Sequence, residues 1–325
     1  MGPVFGNPWH PFQLLQMPPS QVGGVVCGDL ATSGAWSTEE QAHHINWLEL
    51  MAIWFGVQCF VEPQHSYVKV FCDNSTAVSY VNNLGGRSTE LHRIARSIWE
   101  WCLDHHITVE AFHLPGKLNT HADSLSRELN PNTEWMLNPD IFLRITGVFF
   151  VPDIDLFASR LNCQVSTYAS WKPDPGAKAI DAFSLDWHNL SPYMFPPFSL
   201  LGKSLAKLKR EKVSDAIIVA PWWSTAHWYP MLVQLAVSQP LLLPRSRFLL
   251  IQPRDKFQMH PLIQSLRLAA WHVSGVDCRA KEFLKKQLIM SSNHGAQAQK
   301  SNIQQPGNAF VAGVKEGVQI HFKLL

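Results

Sequence analysis

Charge is scarce in this chain. Only 16% of its 325 residues are Asp, Glu, Lys or Arg, and 27 basic residues stand against 25 acidic ones. A formal net charge of +2 is too small for nucleic-acid binding by bulk electrostatics, so any such contact must come from local sites. The low charge also argues against a disordered acidic or basic tail protein. The apolar stretches Ala216–Trp223 and Pro240–Ile251 are too short or too interrupted to span a bilayer, so we expect no membrane partner.

Paired cysteines are also lacking, and no leader segment is expected. The six cysteines form no CxxC pair and are scattered through candidate strands and helices, which is typical of reduced, buried thiols in an intracellular protein. No basic segment followed by an apolar run opens the sequence, so we expect no signal peptide. With about 150 residues per domain as a guide, the length predicts roughly two domains, each able to bury a core without disulfides.

The first half alternates strands and helices in the way that is typical of an α/β domain, which we place at residues 23–130. Residues 1–22 show no period and are expected to be an irregular lead-in. The patterns predict a hairpin over 25–36, helices over 46–59, 76–81, 88–105 and from 120, and strands over 67–72 and 108–113.

The second half predicts a smaller α/β domain over residues 131–255, after the linker Asn130-Pro131-Asn132. It contains a predicted helix over 200–212 and a predicted strand over 215–220. Residues 256–325 are expected to be a helical connector, with a helical stretch over 260–290, followed by an irregular tail.

Three acidic residues of the first half stand where chemistry could use them. Glu49 lies within an apolar helical run, Asp73 ends a strand and Asp123 opens a helix. Each has an ordinary explanation by itself: a polar helix face, a helix cap and a solvated first-turn acid. Together they match what a two-metal nuclease needs, because two Mg²⁺ ions about 3.5–4 Å apart are held by several carboxylates.

Three segments carry a family resemblance. HINWLELMAIWFGV, VKVFCDNSTAVSYVNNLGG and HLPGKLNTHADSLSR, in this order, resemble the ribonuclease H domain of a retroelement reverse transcriptase, and in particular of the DIRS-like, tyrosine-recombinase retrotransposons. The resemblance implies a ribonuclease-H-like mixed sheet with flanking helices that hydrolyses the RNA strand of RNA–DNA hybrids with two Mg²⁺ ions. It assigns Glu49, Asp73 and Asp123 as catalytic metal ligands. Nucleic-acid contacts are assigned to Asn74, His113, Lys117 and Asn119.

This sequence departs from the family at the first catalytic aspartate. The family carries that residue on its opening strand, seven positions before the second glycine of a G-W-G-A pattern. Counting back from Gly24 lands on Met17, and no Asp or Glu precedes Asp29. We therefore expect the strand that bears the first aspartate to be missing, and this copy to have little or no nuclease activity.

A second resemblance covers residues 134–240. Asp155-Leu156-Phe157 and the later run Phe195-Pro196-Pro197-Phe198 resemble the phage-type DNA adenine methyltransferase (Dam-like) domain that DIRS-like elements carry after ribonuclease H. In that family a polar residue before Pro-Pro-aromatic accepts hydrogen bonds from a flipped adenine, and the aromatic ring stacks on the base. Phe195 cannot accept such bonds, and no glycine-rich loop for S-adenosylmethionine is evident. A rigid turn, a degenerate nucleic-acid-binding module and an active methyltransferase therefore remain open.

The expected protein is a piece of a retroelement polyprotein, with a degenerate ribonuclease H domain, a Dam-like domain and a connector. Its expected partners are RNA–DNA hybrid or DNA and other retroelement proteins, and its expected location is inside the cell, in the nucleus or cytoplasm. The alternatives are a non-enzymatic nucleic-acid-binding scaffold, a domesticated transposon fragment and a DNA adenine methyltransferase. S-adenosylmethionine is not expected as a cofactor.

Overall fold

The computed structural model describes residues 12–17, 22–27, 30–61, 67–115, 135–254, 258–295 and 311–325. The chain divides into two compact units. The first comprises Met1–Glu134 with Lys172–Ala177, and the second comprises Trp135–Trp171 with Lys178–Leu325. Within the described residues, no helix is both long and apolar enough to cross a membrane.

The first unit is built on a mixed five-stranded sheet. Its strands, in chain order, are β1 (Phe12–Met17), β2 (Val22–Cys27), β3 (Leu30–Ala35), β4 (Tyr67–Cys72) and β5 (Thr108–His113). Their order across the sheet is β3-β2-β1-β4-β5. Strand β2 is antiparallel to its neighbours β1 and β3, and β4 runs parallel to both β1 and β5. Its helices are α1 (Ile45–Phe60), α2 (Ser75–Asn82) and α3 (Thr89–Asp104).

One hydrophobic core joins the three helices to the sheet. Along β4, burial alternates so that Val68, Val70 and Cys72 are buried, as expected for a strand with one face on the core. Ile53 of α1 and Ile98 of α3 pack into the same cluster. The predicted hairpin, the helices over 46–59, 76–81 and 88–105, and both predicted strands are confirmed to within a few residues.

The expected absence of the opening strand is wrong. Phe12–Met17 forms β1 at the centre of the sheet, in parallel register with β4 from Phe12 opposite Val68 to Leu15 opposite Phe71. Residues 1–22 are therefore not an irregular lead-in throughout. The sequence FQLLQM contains no β-branched residue and lies between two prolines, so its local pattern is weak. Pairing with a strand on each side overrides that weak local preference.

The second unit is a six-stranded sheet covered on both faces. Its strands are β7 (Ile154–Asp155), β10 (Pro192–Met194), β11 (Ala216–Pro221), β12 (Leu241–Leu242), β14 (Leu268–Val273) and β17 (Lys323–Leu324). Their order across the sheet is β17-β12-β14-β11-β10-β7, and every strand except β14 runs in the same direction. Short two-stranded pairs are formed by β6 (Met136–Leu137) with β13 (Leu250–Ile251), β8 (Ala169–Ser170) with β9 (Ala179–Ile180), and β15 (Val311–Lys315) with β16 (Val318–His321).

Helices cover both faces of this sheet. They are α4 (Pro139–Val148), α5 (Leu201–Arg210), α6 (Tyr229–Leu235) and α7 (Asp277–Gly295). Every residue of β11 is buried. Ile218 packs in a core with Leu205 of α5, whereas Ile217 packs in a second core with Phe142 of α4. Alternate residues of one strand thus supply two different cores.

The predicted helical connector over residues 256–325 is wrong in part: the helix exists over Asp277–Gly295, but the segment is not a connector. Leu268–Val273 is a strand, β14, between β11 and β12, so this segment completes the second unit's sheet. Helix α7 follows it, and the tail contains the strands β15, β16 and β17. A strand buried on both faces is a continuous apolar run, which periodicity alone does not distinguish from a buried helix.

Candidate functional site

Glu49 is a buried acid in helix α1. Its side chain is only 3% exposed, between the buried residues Leu48 and Leu50. The helix begins after His44, whose Nδ1 accepts a hydrogen bond from the backbone N–H of Asn46. Burying a carboxylate among apolar residues costs free energy unless its oxygens have polar partners. We therefore expect polar groups close to the Glu49 carboxylate.

Those neighbours stand at the end of β4. Cys72 is fully buried, and its Sγ lies 4.0 Å from Oε2 of Glu49. Ligand atoms from Glu49, Cys72 and Asp73 all lie within 4.8 Å of one another. Burial is the main cause that raises the pKa of the Cys72 thiol well above its usual range, and the nearby charge of Glu49 raises it further. The thiol therefore remains protonated at neutral pH.

The structure gives Asn74 a structural role. Its Oδ1 accepts hydrogen bonds from the backbone N–H groups of Thr76 and Ala77, each at 3.0 Å, which caps the start of α2. Its Nδ2 donates to Oδ1 of Asn46 on α1 at 2.8 Å. The side chain that was predicted to contact nucleic acid therefore ties α1 to the turn that carries Asp73.

His113 lies beside the two acids, at the end of β5. The strand register pairs it with Cys72, and its Nε2 is 3.1 Å from the backbone oxygen of Asp73. The imidazole is exposed, so it faces solvent at the same end of the sheet. This position is compatible with the substrate contact that the sequence predicts.

The end of β1 is where the family's first aspartate would stand. The register of β1 with β4 ends with Leu15 opposite Phe71, and β1 itself ends at Met17. Counting in the sequence had selected the same residue. The strand beside the one that leads to Asp73 thus ends in a methionine.

The remaining predicted residues of this site, Lys117, Asn119 and Asp123, lie outside the described residues. Among the described ones, the candidate ligand set is two carboxylates and one thiol. Mg²⁺ prefers oxygen ligands alone, whereas thiolates favour softer ions such as Zn²⁺. With Met17 in the first position, these residues do not fit a two-magnesium centre.

Sequence reasoning missed Cys72 as a member of this cluster. A signal was present, because the alternation in YVKVFC puts residue 72 on the same face as the apolar Val68 and Val70. That face packs against α1, the helix that carries Glu49.

In the second unit, two predicted site segments lie at the ends of neighbouring parallel strands. Asp155 is the last residue of β7, and the Phe195–Phe198 run follows β10. Asp155 is 2% exposed and accepts hydrogen bonds from the backbone N–H groups of Phe157 and Gln164. Burial is the main cause that raises the pKa of Asp155 to about 7.

The Phe-Pro-Pro-Phe run begins where β10 ends. Pro196 is buried and Pro197 is exposed, and the rings of Phe195 and Phe198 are 6.4 Å apart. Ligands of open α/β sheets bind outside the carboxyl ends of the strands, so this run occupies a position at which a ligand could be contacted.

Comparison with known proteins gives one family match. A family model described as reverse transcriptase-like matches residues 16–129, roughly a third of the chain. No curated protein matches the chain. The matched segment starts at the end of β1 and contains Glu49, Asp73 and Asp123. Residues 16–129 are thus similar to the reverse transcriptase-like family, and the mixed α/β fold of this unit is consistent with a ribonuclease-H-like domain of retroelement origin.

Proposed function

We propose that the first unit is the ribonuclease H domain of a DIRS-like retroelement, and that it no longer hydrolyses the RNA strand of RNA–DNA hybrids. The observation that carries this proposal is the methionine at position 17, which ends β1, the strand that pairs in parallel with β4 ahead of Asp73. The strand survives, and the carboxylate does not.

The physical argument concerns charge. Holding two divalent cations close together requires several anionic ligands, and a thioether supplies no negative charge. Glu49 and Asp73 approach each other, and the neutral thiol of Cys72 lies within 4.8 Å of both. Without the carboxylate of the first strand, metal affinity should collapse rather than weaken slightly.

The function that remains is recognition of RNA–DNA hybrid or DNA inside the cell. It would be carried by the preserved sheet and by the exposed His113 at its edge. A non-enzymatic nucleic-acid-binding scaffold, including one domesticated by its host, would have the same biochemical properties. It differs only in the cellular use of the bound nucleic acid.

Isothermal titration with Mg²⁺ tests the proposal on the full chain. We expect the natural sequence to bind Mg²⁺ weakly or not at all, and Met17→Asp to bind it measurably more tightly. Met17→Asn is the matched control, because it has the same size as aspartate and no charge. Tight binding of two ions by the natural sequence, lost in Asp73→Asn, would refute the proposal.

For the second unit we propose descent from the Dam-like domain, without methyl transfer. The supporting observation is that Phe195–Phe198 directly follows β10 at the carboxyl ends of parallel strands. Phe195 provides no hydrogen-bond acceptor for an adenine amino group. Transfer of tritium from S-adenosylmethionine to DNA should therefore stay at background, and transfer above background would overturn this part.

A further inference from the structure

The directions of the strands in the second unit bring several loops to one edge of its sheet. The carboxyl ends of β10, β11 and β12 meet there, together with the beginning of the antiparallel β14. The residues at these ends are therefore neighbours in space although they are far apart in the sequence. We call this the carboxyl edge; it comprises Phe195–Phe198, Trp222–Trp223, Arg245–Phe248 and Arg267.

Aromatic rings form the first part of the carboxyl edge. Trp223 is 41% exposed, and its ring meets that of Phe198 edge-on, with the centroids 5.2 Å apart. Trp222 precedes it, and its backbone N–H donates to the backbone oxygen of Arg267 at 2.7 Å. Contact with Phe198 thus holds the Trp223 ring at the surface, and part of this ring remains exposed to solvent.

Arginines form the second part. Arg267 lies over the Trp222 ring, with Cζ 5.2 Å from the centroid. The pKa of Arg267 is lowered mainly by partial burial and further by the charge of the nearby Arg245. The guanidinium groups of Arg245 and Arg267 are therefore close together. Arg245 and Arg247 are exposed, and Arg247 lies 4.5 Å from the Phe248 ring.

Acidic residues flank the same strands at the opposite edge. Asp153 precedes β7, Asp215 precedes β11 and Asp277 follows β14. Asp155, the last residue of β7, is buried, and its carboxylate accepts hydrogen bonds from two backbone N–H groups. The opposite edge is mixed in charge, because Arg279 pairs with Asp215 and the exposed Lys209 and Arg210 end α5 just before β11.

We propose that the carboxyl edge binds single-stranded nucleic acid, with phosphates at Arg245, Arg247 and Arg267 and a base stacked on Trp223. Guanidinium groups beside exposed aromatic rings are the combination that binds single strands, because the backbone follows the charge and the bases stack on the rings. A duplex keeps its bases stacked internally and cannot use Trp223 in this way. The proposal does not depend on the loss of hydrolysis in the first unit.

The test is fluorescence anisotropy of a labelled oligonucleotide, about 12 nucleotides long as suits one such site, titrated with the full chain at several salt concentrations. The double variant Arg245→Gln/Arg247→Gln should flatten the slope of log affinity against log salt by about 1.4, since each phosphate contact on a single strand contributes about 0.7. The matched control is Lys209→Gln/Arg210→Gln, which removes two exposed charges at the end of α5 and should leave the slope unchanged.

The aromatic contribution is tested separately. Trp223→Ala should weaken binding about tenfold, and Trp223→Phe should retain most of the affinity. Equal slopes for the two charge variants, no effect of Trp223→Ala, or preferential binding of the corresponding duplex would each overturn the proposal. DNA and RNA strands run side by side identify the preferred sugar, and binding of either one supports it. All variants of this test lie in the second unit, whereas Mg²⁺ titration of the first unit tests the proposed function, so the two outcomes are separable.

Discussion

The residue that most changes the interpretation of the first unit is Cys72. Its Sγ lies within 4.8 Å of ligand atoms of Glu49 and Asp73, the acids that the family resemblance assigns as ligands, and burial among apolar residues keeps the thiol protonated. The family resemblance gave no role to this position. Its surroundings follow from the alternation of β4, but its distance to Glu49 depends on how α1 packs across the sheet, which a sequence pattern does not contain.

Cys72 should resist alkylation in the native protein. Only the thiolate is an effective nucleophile, and the raised pKa and full burial of Cys72 suppress it. Iodoacetamide treatment followed by mass spectrometry should label the exposed Cys278 at least tenfold faster than Cys72. Equal labelling rates under native conditions would show that the cluster is open to solvent.

Asp155 should make the stability of the second unit fall as pH rises from about 4 to about 7. Its folded pKa of about 7 is above its ordinary value of 3.8, so in this window the folded state holds a proton that the unfolded state has lost. Stability then decreases with pH by up to about 1.4 kcal/mol per unit. Urea unfolding of the natural chain and of Asp155→Asn, at several pH values, measures the difference.

The comparison with Asp155→Asn is necessary because another group acts in the opposite direction. Burial lowers the pKa of His272, and this makes stability rise with pH below its ordinary value of 6.5. That contribution is the same in both proteins and cancels in their difference. A difference that does not change with pH would contradict the assignment to Asp155.

At the scale of elements, the position of helix α1 decides whether Glu49 reaches Asp73. The helix packs closely on β2 at Gly56, where an added Cβ would lie 2.7 Å from Cγ2 of the buried Val25. Gly56→Ala should destabilise the first unit by about 1 kcal/mol, because overpacking costs about 1–3 kcal/mol and the gain in helix propensity offsets about 1 kcal/mol. Chemical denaturation measures the loss.

Gly34→Ala is the control for this substitution. Gly34 is in β3, and a Cβ there meets nothing within 4 Å, so alanine should be neutral or slightly stabilising in the strand. If both variants had the same effect, close packing between α1 and β2 would not be the cause.

The turn that carries Asp73 should also depend on Asn74. Asn74→Ala removes the cap of α2 and the bond to Asn46, and we expect a loss of about 1–2 kcal/mol of unfolding free energy. Asn83→Ala is the comparison, because Asn83 is exposed and bonds only locally to Ser79 among the described contacts. Equal losses would mean that Asn74 does not hold the turn.

Which elements could be predicted follows from their burial. The sequence patterns predict β4, β5 and α3 well because each has one buried and one exposed face. Strand β14 is buried almost throughout, so its sequence LAAWHV contains no alternation. Strand β1 is visible only through its partners. The two misplaced segments are thus those whose structure depends on distant pairing.

At the scale of the whole molecule, the near-zero net charge conceals a local cluster of arginines. Arg245, Arg247 and Arg267 come to one edge of the second unit's sheet because β12 and β11 run in the same direction and β14 runs against them. Composition gives no indication of this arrangement, and neither does any short motif. The acids of the first unit were found from the sequence because their motifs are local, although Asp123 lies outside the described residues.

The central claim is that this ribonuclease-H-like unit is not a nuclease. The most direct measurement follows a labelled RNA strand in an RNA–DNA hybrid, incubated with the full chain and Mg²⁺ or Mn²⁺, beside the Asp73→Asn variant. We predict that the RNA remains intact and that the two proteins give the same trace. Cleavage by the natural chain that disappears in Asp73→Asn would contradict the account.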